Sequence, residues 1–287
     1  MRIVRTLALA LSAATAAAQP PATSPSPSAV SPSATAGQSP SPAPTASPSV
    51  KPFAIERWTW GMEADGPPPV RTVEVRNDFG DIRVRFAGDR RIEASAAIQR
   101  LGPGPEDVGV TVERRGGAVV LTVTYPPGRI RDADPQPSKT SMDRLDLTLY
   151  LPEGVSLNAR TFRGMVEARA VRSDVAAETL DGDITIITRR SAWARTAGGA
   201  MRVTLDADVA GGPNLLVSET GKIVLTLSAG VGVDLRAETG GAIRAGAPVA
   251  VRQENGRSRA AGVIGVRRRE VQIYSASGEV SIERPAP

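Results

Sequence analysis

Neither cysteine nor histidine occurs anywhere in the 287 residues. Without cysteine there can be no disulfide, no zinc thiolate centre and no thiol to carry a lipid anchor. Without histidine the commonest general base, the usual triad base and the usual imidazole metal ligand are missing together. Aromatic residues make up only 3% of the chain, and lysine is confined to Lys51, Lys139 and Lys222 against 32 arginines. No stretch reaches the roughly 20 apolar residues that a membrane-spanning helix needs. An excess of one charge is lacking too. The formal charge of +5 includes Arg2 and Arg5, so 33 of the 35 basic side chains face 30 acidic ones in the rest of the chain. Such a balance argues against a nucleic-acid binder.

What is present falls into three parts. Arg2 and Arg5 precede the apolar run Leu7 to Leu11, and Ala16-Ala17-Ala18 supplies small residues for cleavage, so residues 1–18 read as a secretory signal peptide. Residues 19–52 are almost entirely Pro, Ser, Ala and Thr, with Lys51 as the sole charge. This composition cannot bury a core, and its Ser-Pro repeats favour an extended polyproline II tether. Residues 53–287 alternate apolar with polar positions, most clearly at Leu145, Leu147, Leu149 and Leu151, the mark of half-buried strands. Gly102-Pro103-Gly104, Arg115-Gly116-Gly117, Pro126-Pro127-Gly128 and Pro152-Glu153-Gly154 punctuate them as turns. The expected fold class is all-β.

One short pattern recurs: a small polar residue, two variable residues, Gly, then apolar residues two and four positions after the glycine. Seven copies centre on Gly80, Gly164, Gly182, Gly199, Gly221, Gly241 and Gly278, and a blurred eighth on Gly262. From Gly164 the glycines step by 18, 17, 22 and 20 residues. Units this short cannot bury their own apolar face and must stack on their neighbours. The spacing therefore predicts a parallel, β-helix-like solenoid of about 17–22-residue coils, with hairpin-like strands over residues 70–150 at its N-terminal end. The alternative is an antiparallel sandwich whose hairpins share a turn sequence. In a solenoid the glycine is wanted where the chain turns sharply between strands, either for a positive φ or because a side chain would strike the next coil, and the Thr or Ser three residues earlier bonds the turn backbone or its neighbour in the next coil. Stacking in chain order would also set Arg160, Glu178 and Arg195 in a ladder of alternating charge.

These copies, together with Leu145-Asp146-Leu147-Thr148-Leu149-Tyr150-Leu151-Pro152-Glu153-Gly154-Val155 and the export signal, resemble the bacterial putative-adhesin family of exported β-strand-repeat domains of unknown function. The resemblance covers residues 70–283. It implies an exported β-solenoid, periplasmic, cell-surface or extracellular, without established catalytic residues. The sequence departs from the pattern at Arg236, where other copies have an apolar residue five before the glycine, and near Gly262.

The expected function is a non-catalytic binding or scaffolding module, adhesin-like, with no cofactor, no metal and no nucleic-acid partner. Its partner would be an envelope glycan, a lipid surface or another protein. Two alternatives are a periplasmic envelope-response component that recognises a membrane-active or wall-derived ligand, and a carbohydrate-active β-helix enzyme. The enzyme would need paired carboxylates on one face, and no such constellation stands out. Asp81, Asp181 and Asp183 beside turn glycines faintly suggest a calcium β-roll, yet the residue after the glycine varies from Asp to Met, Ala and Lys, and turn chemistry accounts for the aspartates. The candidate surface contacts are Trp193, which alternation points outward, and Arg267, Arg268 and Arg269. Trp58 and Trp60 are expected to cap the end of the stack.

Overall fold

The computed structural model describes residues 54–100, 108–125, 144–206, 211–246, 248–266 and 269–284. The expected signal peptide and tether lie outside the described residues, as do Arg267 and Arg268. No described residue is helical, and twenty-one strands follow one another. They begin with β1 (Ala54–Glu63), β2 (Thr72–Phe79), β3 (Ile82–Phe86), β4 (Arg91–Arg100), β5 (Gly109–Arg115), β6 (Ala118–Thr124) and β7 (Arg144–Leu151). Next come β8 (Ser156–Arg163), β9 (Val166–Val171), β10 (Val175–Asp181), β11 (Ile184–Thr188), β12 (Ala192–Thr196), β13 (Met201–Leu205), β14 (Asn214–Ser218) and β15 (Ile223–Leu227). The last are β16 (Val233–Thr239), β17 (Ile243–Ala245), β18 (Ala250–Glu254), β19 (Arg257–Ile264), β20 (Arg269–Ser275) and β21 (Val280–Glu283).

Two large, mostly parallel sheets result. One has ten strands in the order β1-β4-β7-β3-β9-β11-β13-β15-β21-β17, the other eleven in the order β18-β19-β16-β20-β14-β12-β10-β8-β2-β6-β5. Each repeat glycine joins a strand of the larger sheet to the next strand in the smaller one, so a copy contributes one two-strand layer. Parallel pairing then brings equivalent positions into line: Ile184 pairs with Val166 on one side and Met201 on the other. Antiparallel strands sit at the ends, β1-β4-β7 and β5-β6 at one, β16-β19-β18 at the other. The hairpin-like character expected of residues 70–150 is present in β4-β7 and β5-β6, while β2 pairs parallel with both β6 and β8. Trp58 and Trp60 lie inside edge strand β1, half-buried against the core.

The glycines form a column. A Cβ on Gly164 would lie 2.0 Å from the Gly80 carbonyl oxygen, one on Gly182 2.0 Å from that of Gly164, and one on Gly199 1.7 Å from that of Gly182. Any side chain there would overlap backbone. Beside the column runs a ladder of hydroxyls, each donating to the glycine carbonyl of an adjacent layer: Thr161 to Gly80 (3.2 Å), Thr179 to Gly164 (3.1 Å) and Thr196 to Gly182 (3.2 Å). A net hydrogen bond of this kind contributes about 1 kcal/mol. The core lies between the two inner faces, small along the larger sheet (Ala159, Ala177, Ala194) and large along the smaller (Ile184, Ile186, Met201), all fully buried. In β9, Ala170 at φ 57° forms a bulge that returns Val171 to the inner line opposite Thr188.

Chain order and stack order part near the end. The layer around Gly278 docks on the Gly221 layer, and the Gly241 layer docks beyond it, so β20 separates β14 from β16 and β21 separates β15 from β17. The expected eighth copy is corrected. Gly262 lies in β19, antiparallel to β16, and takes no place in the column because the chain folds there as a hairpin on the sheet edge. The anomaly at Arg236 also resolves. Thr239 occupies the hydroxyl position, opposite Ser275 and donating to the Gly278 carbonyl (2.6 Å), yet it precedes Gly241 by two residues where the other copies have three. The turn is one residue short, so Ala237 takes the inner slot and Arg236 points out beside Gln272.

Candidate functional site: the outer face of the eleven-stranded sheet

The inner face of the larger sheet is pinned by the core, which leaves its outer face as an ordered array. Along one register line lie Asn158, Ala176, Trp193, Leu215, Gln272 and Arg236, and along the next Arg160, Glu178, Arg195, Val217, Tyr274 and Glu238. The predicted charge ladder forms. Glu178 stands between Arg160 (3.7 Å) and Arg195 (3.9 Å). Trp193 is exposed one pleat from Arg195 on β12, and Leu215 and Val217 extend its apolar surface toward Tyr274. Trp193 and Tyr274 are two strands and one pleat apart, about 12 Å between Cα atoms from strand spacings.

At the far end of the same face the β18-β19 hairpin adds Arg252, Glu254 and Arg259. Here a notch of about 490 Å³ opens over Ala250 and Ala261, walled by Arg236, Glu238, Arg252, Arg259 and Tyr274. Arg259 donates to Glu254 (2.7 Å) and pairs with Glu238 (3.4 Å). The Glu254 hydrogen bond, and then the charge of Glu238, hold its guanidinium above the usual arginine value.

Two of the glycine-adjacent aspartates are engaged with backbone. Asp81 accepts from the Met165 N–H (3.0 Å) and Asp183 from the Ala200 N–H (2.8 Å), each tying its turn to the next layer. Asp81 is also gripped by Arg83 and Arg144, both at 2.7 Å. Among the described residues no group of three or more acids could hold a metal ion.

No known family profile matches the chain, and no curated protein matches it. Solved structures do. A putative cell adhesion protein from Clostridium sporogenes is 12% identical, over 80% of this chain and 100% of its own, with a TM-score of 0.48. A putative adhesin from Bacteroides fragilis is 7% identical over 79% of this chain and 96% of its own (TM-score 0.31), and one from Parabacteroides distasonis 10% over 80% and 97% (TM-score 0.31). All three are named for adhesion. At these identities and TM-scores the likeness reaches no further than that.

Of the residues singled out in the sequence, Trp193 is on the open face, with 37% of its surface exposed. Arg269 is not, which corrects its assignment as a surface contact. It is only 5% exposed, and its Nη1 donates to the Arg190 carbonyl (2.9 Å). Because β20 enters the sheet between β14 and β16, its first residue is drawn in beneath the loop that follows β11. Tyr274 and Arg252 escaped sequence reasoning, and Arg236 stood out there only as a departure from the repeat. Tyr274 occupies an outward slot of the Gly278 copy, and that slot carried the available signal.

Proposed function

We propose that the chain is exported by residues 1–18, that residues 19–52 act as a spacer, and that residues 53–287 form a non-catalytic, adhesin-like binding module. In this reading the two-strand layers are coils of a parallel β-solenoid, and the outer face of the eleven-stranded sheet meets the ligand. The supporting observation is Trp193. A large aromatic side chain is left exposed at the centre of a register-locked face, with Leu215 and Val217 beside it and Tyr274 within reach of the same ligand. An aromatic ring so placed offers a flat surface to a sugar ring or to an apolar side chain. The carboxylates that would serve a hydrolase are engaged otherwise: Asp81 and Asp183 hold backbone N–H groups, and Glu178 and Glu238 each sit between two arginines.

The test is an array of envelope glycans, lipids and proteins probed with the purified chain and with Trp193→Ala. The variant should melt within about 0.5 kcal/mol of the parent, as exposed substitutions usually do, and lose the bound spots. Equal binding by both proteins would remove this face as the site. Release of new reducing ends from any bound glycan would return the enzyme alternative.

A further inference from the structure

The notch at the β18-β19 end is charged differently from the rest of the face. Three arginines line it, Arg236, Arg252 and Arg259, against two glutamates, Glu238 and Glu254. Both glutamates are taken: Glu238 by Arg257 (2.6 Å) and Arg259 (3.4 Å), and Glu254 by Arg259 (2.7 Å). Arg236 and Arg252 remain, both exposed and neither in an ion pair among the described residues. Asp234 lies two residues back along β16 and Glu270 on the same register line in β20, and neither pairs with Arg236. Between the two free guanidiniums the register line runs Arg236-Ala261-Ala250, with Arg252 one pleat beyond. Two alanines thus make a floor among the longer side chains of Arg236, Arg252, Arg259 and Tyr274. Arg236 and Arg252 stand about 12 Å apart at Cα from strand spacings, and Tyr274, 43% exposed, closes one wall.

Each part suits one class of ligand. A guanidinium fork takes a carboxylate in a two-point, charge-assisted contact. The alanine floor and the tyrosine ring suit the C–H face of a pyranose. A volume of about 490 Å³ is within the range of pockets that enclose small organic ligands. Resting on the reading of this sheet face as a binding face, the geometry points to the Arg236–Arg252 notch as a subsite for an acidic saccharide, a uronate-bearing chain whose carboxylates are gripped from both sides. The register explains why the notch exists. The shortened turn before Gly241 puts Arg236 outward, and the hairpin supplies Arg252 and the floor.

Calorimetric titration of the full chain with tetragalacturonate, and with the neutral galactose tetramer of the same linkage, tests this. The acidic tetramer should bind saturably and more weakly as salt rises, and the neutral one at least about tenfold more weakly. Arg236→Gln and Arg252→Gln should each weaken binding about tenfold, the usual effect of losing one charge-assisted contact. Ala261→Phe should abolish binding with every charge retained, which separates a shaped site from general attraction of polyanions. Thermal melting of each variant confirms that it is folded.

Equal binding of both tetramers, or normal binding by Ala261→Phe, overturns the proposal. So does binding to vesicles of mixed phosphatidylcholine and phosphatidylglycerol with none to the tetramer. If the neutral tetramer binds and Trp193→Ala abolishes it while both arginine variants are silent, the acidic subsite falls and the binding face stands.

Discussion

Between β8 and β15 the chain builds its stack in the order in which it is written, each layer resting on the one before. From β16 to β21 it does not. The Gly278 copy enters between layers already laid down, and the Gly241 copy becomes the outermost. Both regions use the same signature, since Val280 and Ile282 line up with Ile223 and Leu225 as those do with Met201 and Val203. The signature therefore fixes how a layer docks and not on which layer. Position is settled by features outside it. The Gly241 copy has a turn one residue short and a three-residue β17, whose Ile243 and Ala245 are only half-buried. Such a layer fits the end of a stack better than its middle, because among the described residues no strand pairs with its far side in the smaller sheet.

Substitution at equivalent slots breaks or sharpens this contrast. The largest effect is expected from Gly199→Ala, whose Cβ would overlap the Gly182 carbonyl at 1.7 Å with backbone on both sides. Urea unfolding should show a loss beyond about 4 kcal/mol, the range of severe core damage. Gly241→Ala meets the Ser277 and Gly278 carbonyls at 2.6 and 2.7 Å at an edge that can shift, and should cost about 1–2 kcal/mol. Equal losses would mean that the column is not under greater constraint in its middle. Ile184→Asp comes next. It gives up about 2 kcal/mol of apolar burial and adds an unpaired buried carboxylate, for a total of about 4 kcal/mol, whereas Ile243→Asp at the half-buried edge should cost about 1 kcal/mol.

A smaller pair probes the hydroxyl ladder. Thr179→Val removes a 3.1 Å bond to the Gly164 carbonyl and should cost about 1 kcal/mol. Ser218 stands where the regular region meets the inserted layer, and its buried hydroxyl has no hydrogen-bond partner among the described residues. Ser218→Ala should therefore change stability by less than about 0.5 kcal/mol, and a loss equal to that of Thr179→Val would restore it to the ladder. Smallest is the charge ladder. Glu178→Arg should destabilise more than Glu178→Ala by roughly 0.2–1 kcal/mol, with the gap closing in high salt. Identical behaviour at low salt would deny the pairing with Arg160 and Arg195.

The regular region was readable in the sequence because its constraints are local and repeated. A glycine needed for backbone contact, a hydroxyl three residues earlier and two apolar slots after it recur in every layer. Trp193 followed from alternation alone, and the Arg160-Glu178-Arg195 ladder from stacking in chain order. The end region was not readable for the same reason, since nothing local to Ser275 or Gly278 says that this copy lies between Gly221 and Gly241. Misjudging that placement hid two things, the burial of Arg269 and the arrival of Tyr274 beside Glu238. Gly262 failed differently. Its spacing imitates the repeat, but Asn255-Gly256, both at positive φ, turns the chain back on itself and makes β19 the return strand of a hairpin.

The inserted layer also sets a condition on biosynthesis. A ribosome delivers β16 and β17 well before β20 and β21, so a growing chain that has reached Ile264 can hold a gap one strand wide in each sheet, or close it with the wrong neighbour. Either way the strand edges of β14 and β15 lack their final partners until residues 269–283 are made. Chains cut short upstream of residue 269 would leave those edges open. Such edges present unpaired backbone N–H and C=O groups, a template for pairing with other chains, until β20 and β21 fill them.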